Sequence, residues 1–186
     1  MYARIKSAAG GASAIGFLSM LMLLILAMVT TAHADNPRYA GIVVDLDNGE
    51  VLYAENIDDQ RYPASLTKMM TLYLTFEALE EGTLRLDQPL PVSHYAAAKP
   101  AVKLWLAAGS SIPVDTAIRA LAVRSANDVA AVVAEALGGS EAHFAQMMTT
   151  KARELGMHAT TFRNASGLPD DGQITTARDM LTRRAN

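Results

Sequence analysis

Apolar residues are grouped along the chain in runs whose spacing predicts both strands and helices. Two short β-rich runs, at 41–45 and 51–54, flank the pair Asn48-Gly49. This pair is typical of hairpin turns, because such turns require a backbone with positive φ. The pattern therefore predicts that a β-hairpin opens the domain.

A long apolar helix is predicted after the hairpin. Pro63 suits a first helical turn, good helix formers continue to Glu81, and Gly82 ends the run. Apolar residues occur on nearly every side of this segment, which is typical of a helix buried in the middle of a domain. We therefore expect other elements to surround it.

The remainder of the chain is first irregular and then mainly helical. Prolines and glycines between 83 and 111 predict mostly loop, with Trp105 as an anchor inside this layer. A structured loop is expected at 162–169. Helices are expected in four places: 115–122, 128–137, from a Ser140 cap to about Leu155, and from a Thr176 cap onward.

The first 34 residues follow the order of a secretory signal peptide. Arg4 and Lys6 precede an uncharged apolar stretch at 15–29, and Ala32-His33-Ala34 fits a cleavage site. We therefore predict a signal peptide at 1–34, a mature domain at 35–186, and export to the periplasm or cell envelope. An uncleaved membrane anchor is the alternative, since the uncharged stretch is long enough to span a bilayer.

Composition excludes several classes of protein. The net charge is −3, and removing Arg4 and Lys6 with the signal peptide would leave −5, without a basic run for nucleic acid. The sequence has no cysteine, so disulfides, thiolate metal sites and a cysteine nucleophile are excluded. No two of the four histidines have the spacing of a helical metal pair. We predict neither a metal nor a cofactor.

Ser65 and Lys68 lie about one turn apart near the start of the long helix. A serine hydroxyl needs a nearby base to become a nucleophile. Apolar surroundings would lower the pKa of Lys68, so that its neutral amine could accept the Ser65 proton. Free backbone N–H groups at the helix start could help to hold an oxyanion. The alternative is a serine near a helix start followed by an ordinary surface lysine.

A second polar group lies between two predicted helices. Ser125-Ala126-Asn127 occupies this junction, where the serine and asparagine side chains can face a shared cleft. Helix capping by either residue is the alternative explanation. The residues by themselves leave both interpretations open.

Three segments together resemble the successive signatures of low-molecular-mass penicillin-binding proteins, the serine-type D-alanyl-D-alanine carboxypeptidases of peptidase family S11. They are Pro63–Thr71, Ser125–Asn127 and Asn164–Pro169. The resemblance covers nearly all of 39–182. It implies an α+β domain of the β-lactamase/transpeptidase-like fold, in which an N-terminal hairpin precedes a helical region.

The resemblance also implies roles for the candidate residues. Ser65 would attack a D-Ala-D-Ala stem peptide and form an acyl-enzyme, with Lys68 as the base. Ser125 would pass a proton to the departing D-alanine, and Asn127 would orient Lys68 and bind the substrate backbone. The implied partners are peptidoglycan stem peptides, β-lactams as covalent inhibitors, and a peripherally contacted membrane.

The third signature of the family, Lys-Thr-Gly, does not occur in the sequence. We expect it, with the later strands of the sheet, beyond Asn186 in a chain that ends early. An inactive remnant with weak binding of peptidoglycan or β-lactam is therefore one alternative. A β-lactamase is another, although class A enzymes usually have Ser-Asp-Asn in place of Ser125-Ala126-Asn127.

Overall fold

A computed structural model describes residues 38–181. The predicted signal peptide at 1–34 lies outside the described residues and stays a prediction. Within the described part of the chain, no helix is both long and apolar enough to cross a bilayer.

The predicted hairpin is confirmed. Strands β1 (Gly41–Val44) and β2 (Val51–Glu55) pair antiparallel, with a bulge between Val43 and Val44. The connecting loop is closed by hydrogen bonds from the Asp45 N–H to the Glu50 carbonyl and from the Gly49 N–H to the Asp45 carbonyl. Gly49 has a φ of 81°, which is the positive φ that the Asn48-Gly49 pair predicts for this turn.

Helix α1 (Thr67–Glu80) follows a 3₁₀ turn at Ala64–Leu66, and Gly82 lies beyond its end with a φ of 73°. The predicted helix is thus confirmed, but burial on all sides is wrong for the described residues. Threonines and apolar side chains share its buried face, while two large apolar side chains of the helix and one just before it are more than half exposed. Thr67, Thr71 and Thr75 form a buried stripe of threonines beside Met70 and Leu74, and the exposed residues are Met69, Phe76 and, in the preceding turn, Leu66. The Thr71 hydroxyl donates to the Ala165 carbonyl and the Thr75 hydroxyl to the Thr71 carbonyl, whereas the buried Thr67 hydroxyl has no hydrogen-bond partner among the described residues.

The stretch from 83 to 111 is more regular than predicted. Strand β3 (Pro89–Pro91) pairs antiparallel with β4 (Ser111–Pro113), and the short helix α2 (His94–Ala97) follows a Ser93 cap. The two strands are short, rich in proline and distant in sequence. Local sequence patterns therefore do not predict their pairing.

Trp105 does not anchor this layer, because its side chain is 74% exposed. The anchor is the buried carboxylate of Asp128, which accepts hydrogen bonds from the N–H groups of Leu104 and Leu106 at 3.0 and 3.1 Å. Trp105 lies between these two bonds with a left-handed backbone, at φ 60°. The Asp128 bonds and the packed leucines hold the segment, and the indole points outward.

The second half of the described chain is mainly helical, as predicted. Ser140 and Thr176 cap their helices through their side chains, and Gly139 has positive φ after the central helix. The helices are α3 (Val114–Arg119), which continues into a π-helical turn at Ala120–Arg124, α4 (Asn127–Gly138), α5 (Glu141–Glu154) and α6 (Ala177–Met180). All residues of α4 from 127 to 134 are buried, so this helix forms the centre of an α+β domain.

Candidate active site

Ser65 lies on the exposed side of the 3₁₀ turn that precedes α1. Pro63 is buried at the start of this turn, and Ala64 takes a left-handed backbone with φ 45°. No hydrogen bond within 38–181 joins the Ser65 hydroxyl to Lys68. Such bonds are often long in ligand-free enzymes and shorten when substrate binds. The turn thus presents an accessible hydroxyl directly before the buried part of the helix.

Lys68 is buried one turn further along, with 3% of its surface exposed. Its Nζ donates to the Asn127 Oδ1 at 2.8 Å and to the Ser166 carbonyl at 2.6 Å. Burial lowers the pKa of this amine to about 8. The desolvation expected from the sequence is therefore present, and it increases the fraction of neutral amine near neutral pH.

Asn127, the first residue of α4, connects Lys68 to the segment that bears Trp105. Its Nδ2 donates to the Pro100 carbonyl at 3.1 Å, and its backbone N–H donates to the Val102 carbonyl at 2.8 Å. The side-chain amide is therefore fixed from both ends. Its oxygen can orient the amine of Lys68.

Ser125 ends the π-helical turn in a left-handed conformation, with φ 53°. Its hydroxyl is buried and has no hydrogen-bond partner among the described residues. Buried hydroxyls normally have a partner, so the unpaired Ser125 hydroxyl is a candidate for a hydrogen bond to a bound molecule. Neither Ser125 nor Asn127 caps α4 with its side chain, so the capping alternative is wrong.

The loop 164–168 completes the site, and the roles of its residues were not predicted from the sequence. Asn164 Oδ1 accepts hydrogen bonds from the N–H groups of Ser166, Gly167 and Leu168 at 3.2, 2.8 and 3.1 Å. Three converging donors fold the loop back on the asparagine. This loop conformation places the Ser166 carbonyl within hydrogen-bond distance of the Lys68 amine.

Gly167 brings the same loop against the turn that carries Ser65. It has a φ of 84°, and a Cβ there would overlap the carbonyl group of Ala64. Gly167→Ala is expected to lower the free energy of unfolding by about 2–4 kcal/mol, since a left-handed alanine costs about 1–2 kcal/mol and overpacking adds a similar amount. Thermal or urea unfolding measures the loss.

The matched control for Gly167→Ala is Gly49→Ala. Gly49 also has positive φ, at 81°, but a Cβ there would meet nothing within 4 Å. Only the backbone cost of about 1–2 kcal/mol is expected in this variant. Equal losses in the two variants would contradict the close packing of Gly167 on Ala64.

The arrangement defines a class of site. An exposed serine lies about one helical turn before a buried lysine of lowered pKa, and a second hydroxyl, unpaired among the described residues, lies two residues before the asparagine that holds this lysine. These are the groups that acyl transfer through a serine nucleophile requires. Residues 38–181 contain no group of three or more side chains able to hold a metal ion.

The chain belongs to the D-alanyl-D-alanine carboxypeptidase family, whose model matches residues 28–184. It is 33% identical to the D-alanyl-D-alanine carboxypeptidase DacF of Bacillus subtilis, covering 86% of this chain and 43% of the relative. It is 32% identical to DacA of Escherichia coli K12, covering 88% and 45%. The chain thus spans less than half the length of these curated relatives.

Solved structures agree with this assignment. The D-alanyl-D-alanine carboxypeptidase DacD of Francisella tularensis matches with a TM-score of 0.73 and 36% identity, over 76% of this chain and 34% of that one. Penicillin-binding protein D2 of Listeria monocytogenes, in its ampicillin-bound form, matches with 0.63 and 34%, over 77% and 58%. The predicted fold is confirmed, and the β-lactamase alternative gains no support.

Proposed function

We propose that this chain carries the nucleophile and base of a serine-type D-Ala-D-Ala carboxypeptidase acting on peptidoglycan stem peptides. The observation that carries the proposal is the buried Lys68 amine, held between Asn127 and Ser166 beside an exposed Ser65. A lysine in that setting can exist as the neutral amine that a serine nucleophile needs.

The proposed reaction has two stages. Lys68 accepts the Ser65 hydroxyl proton as the oxygen attacks the carbonyl between the two D-alanines. The C–N bond then breaks, and the terminal D-alanine leaves as an amine with a proton passed through Ser125. Water hydrolyses the ester on Ser65, and Asn127 orients both Lys68 and the substrate backbone.

β-Lactams are the proposed covalent inhibitors of the same serine. Support comes from the Listeria monocytogenes relative, whose structures include ampicillin-bound and cefotaxime-bound forms. A β-lactam offers Ser65 a strained amide carbonyl in place of the peptide. The ester that forms then remains on the enzyme.

The proposed location is the periplasm or cell envelope, with peripheral contact to the membrane. It rests on the signal-like order of residues 1–34 and on the peptidoglycan substrate. N-terminal sequencing of envelope protein should begin at Asp35. A chain that began at Met1 would instead establish the uncleaved anchor.

Release of D-alanine tests the proposed function. A chimaera in which residues 35–181 replace the matching part of the Bacillus subtilis carboxypeptidase should release D-alanine from a D-Ala-D-Ala peptide. A polypeptide limited to residues 35–186 should release little or none. The resemblance implies that the absent Lys-Thr-Gly strand supplies an oxyanion donor, and one such donor is worth about 100-fold or more in rate.

The two polypeptides separate the remaining alternatives. A chimaera without turnover would contradict the proposed reaction and favour the inactive remnant. Turnover by residues 35–186 alone would show that the Lys-Thr-Gly strand is dispensable.

A further inference from the structure

A buried ion pair contacts the loop 164–168 at Ala165, the residue before the one that Lys68 contacts. Glu141, the first residue of α5, is buried, and its Oε2 accepts from Lys99 Nζ and from the Tyr95 hydroxyl, each at 2.5 Å. Burial alone would raise the pKa of Glu141, but its bonds to Lys99 and Tyr95 hold that pKa below the usual value. Glu141 is therefore a buried carboxylate that stays charged.

The second carboxylate oxygen of Glu141 points at the loop. Oε1 accepts a hydrogen bond from the Ala165 N–H at 3.0 Å. The Ala165 carbonyl in turn accepts from Thr71 Oγ1 at 2.7 Å, on the buried stripe of α1. The peptide groups on both sides of Ala165 are thus fixed, one by α5 and one by α1.

The next carbonyl along the chain is that of Ser166, which accepts from Lys68 at 2.6 Å. The residue after it, Gly167, packs on the carbonyl of Ala64 beside the nucleophile. Glu141 is therefore connected to the candidate base through Ala165 and Ser166. The next residue, Gly167, extends this connection to the turn that bears Ser65. Buried ion pairs seldom stabilise a fold more than apolar residues would, so another role for this pair is worth testing.

We infer that Glu141 is a positioning residue for Lys68: its contact with the Ala165 N–H holds the Ser166 carbonyl over the amine and keeps water away from it. The inference rests on the proposed function, in which Lys68 is the base. Lys99 and Tyr95 fix the carboxylate so that Oε1 faces Ala165. The inferred role requires the position of this oxygen and not the charge of the ion pair, because the Tyr95 hydroxyl can accept from an amide as well as donate to a carboxylate.

Two substitutions of Glu141 distinguish the effect of its contact with Ala165 from the effect of its charge. Glu141→Asp keeps a carboxylate that the long Lys99 side chain can follow, but it is one methylene too short to reach the backbone N–H of Ala165. Glu141→Gln loses the charge but keeps an oxygen that can accept from the Ala165 N–H. A control is Glu77→Gln, because Glu77 of α1 pairs with Lys151 of α5 at 2.9 Å, and no hydrogen bond within the described part of the chain joins it to the loop 164–168.

The measurement is the pKa of Lys68, followed by NMR of isotope-labelled lysine in the full chain. The signal is assigned by its absence from Lys68→Gln. In Glu141→Asp the loop loosens and water reaches the amine, so the pKa of Lys68 should rise by about one pH unit or more. In Glu141→Gln and Glu77→Gln it should stay at the parent value.

A parent-like pKa of Lys68 in Glu141→Asp would overturn the inference. An equal rise in Glu141→Gln would also overturn it, since charge rather than contact would then be responsible. The measurement requires no turnover. A chimaera that releases no D-alanine would therefore contradict the proposed reaction, while the difference between these variants would still decide the role of Glu141.

Discussion

Ser65→Ala is expected to abolish covalent labelling of the chimaera by a fluorescent penicillin. Labelling requires a nucleophile that forms an ester with the opened β-lactam, and alanine supplies none. Fluorescence after denaturing electrophoresis measures the loss, and mass spectrometry locates the labelled peptide in the parent. The expected effect is complete, because removing the nucleophile removes the bond itself.

The control for this loss is Ser111→Ala. Ser111 is also an exposed serine, on β4, and it lies outside the proposed site. Its replacement should leave the labelling rate at the parent value. Label that persists in Ser65→Ala would mean that another residue is the nucleophile.

Lys68→Gln is expected to slow labelling by about 100-fold or more, since a positioned general base contributes that much to a rate. The pH dependence gives a second measure. Only the neutral amine accepts a proton, so the parent rate should rise as pH increases through about 8, the pKa that burial gives Lys68, and level off above it. This step should be absent from Lys68→Gln.

A matched variant is Lys151→Gln, which removes a half-buried lysine from an ion pair of α5 with α1. It should retain both the labelling rate and the step near pH 8. If Lys68→Gln labelled at the parent rate, or kept the same pH step, Lys68 would not be the base.

Local chemistry accounts for what the sequence predicted well. Gly82 and Gly139 mark helix ends through positive φ, and Ser140 and Thr176 mark helix starts through side-chain caps. Each signal depends on a few neighbouring residues, so it can be read without knowing the fold. The spacing of Ser65 and Lys68 is of the same kind.

Contacts between distant segments account for what was missed. The buried Thr71 of α1 donates to a carbonyl of the loop 164–168, almost a hundred residues later. Glu141 gives no sequence signal at all, because an acidic residue after Ser140 is also what an ordinary helix start prefers. Its contacts with Lys99 and Ala165 appear only when three segments meet.

The hydrogen bonds from the backbone on both sides of Trp105 to Asp128 limit which sequence changes this segment can accept. Together with the bonds of Asn127 to the carbonyls of Pro100 and Val102, they hold the backbone between Pro100 and Leu106 at four positions. Added or lost residues there would pull directly on the start of α4 and on Lys68. The Trp105 side chain itself faces solvent, so variation in this segment can alter side-chain identity much more readily than loop length.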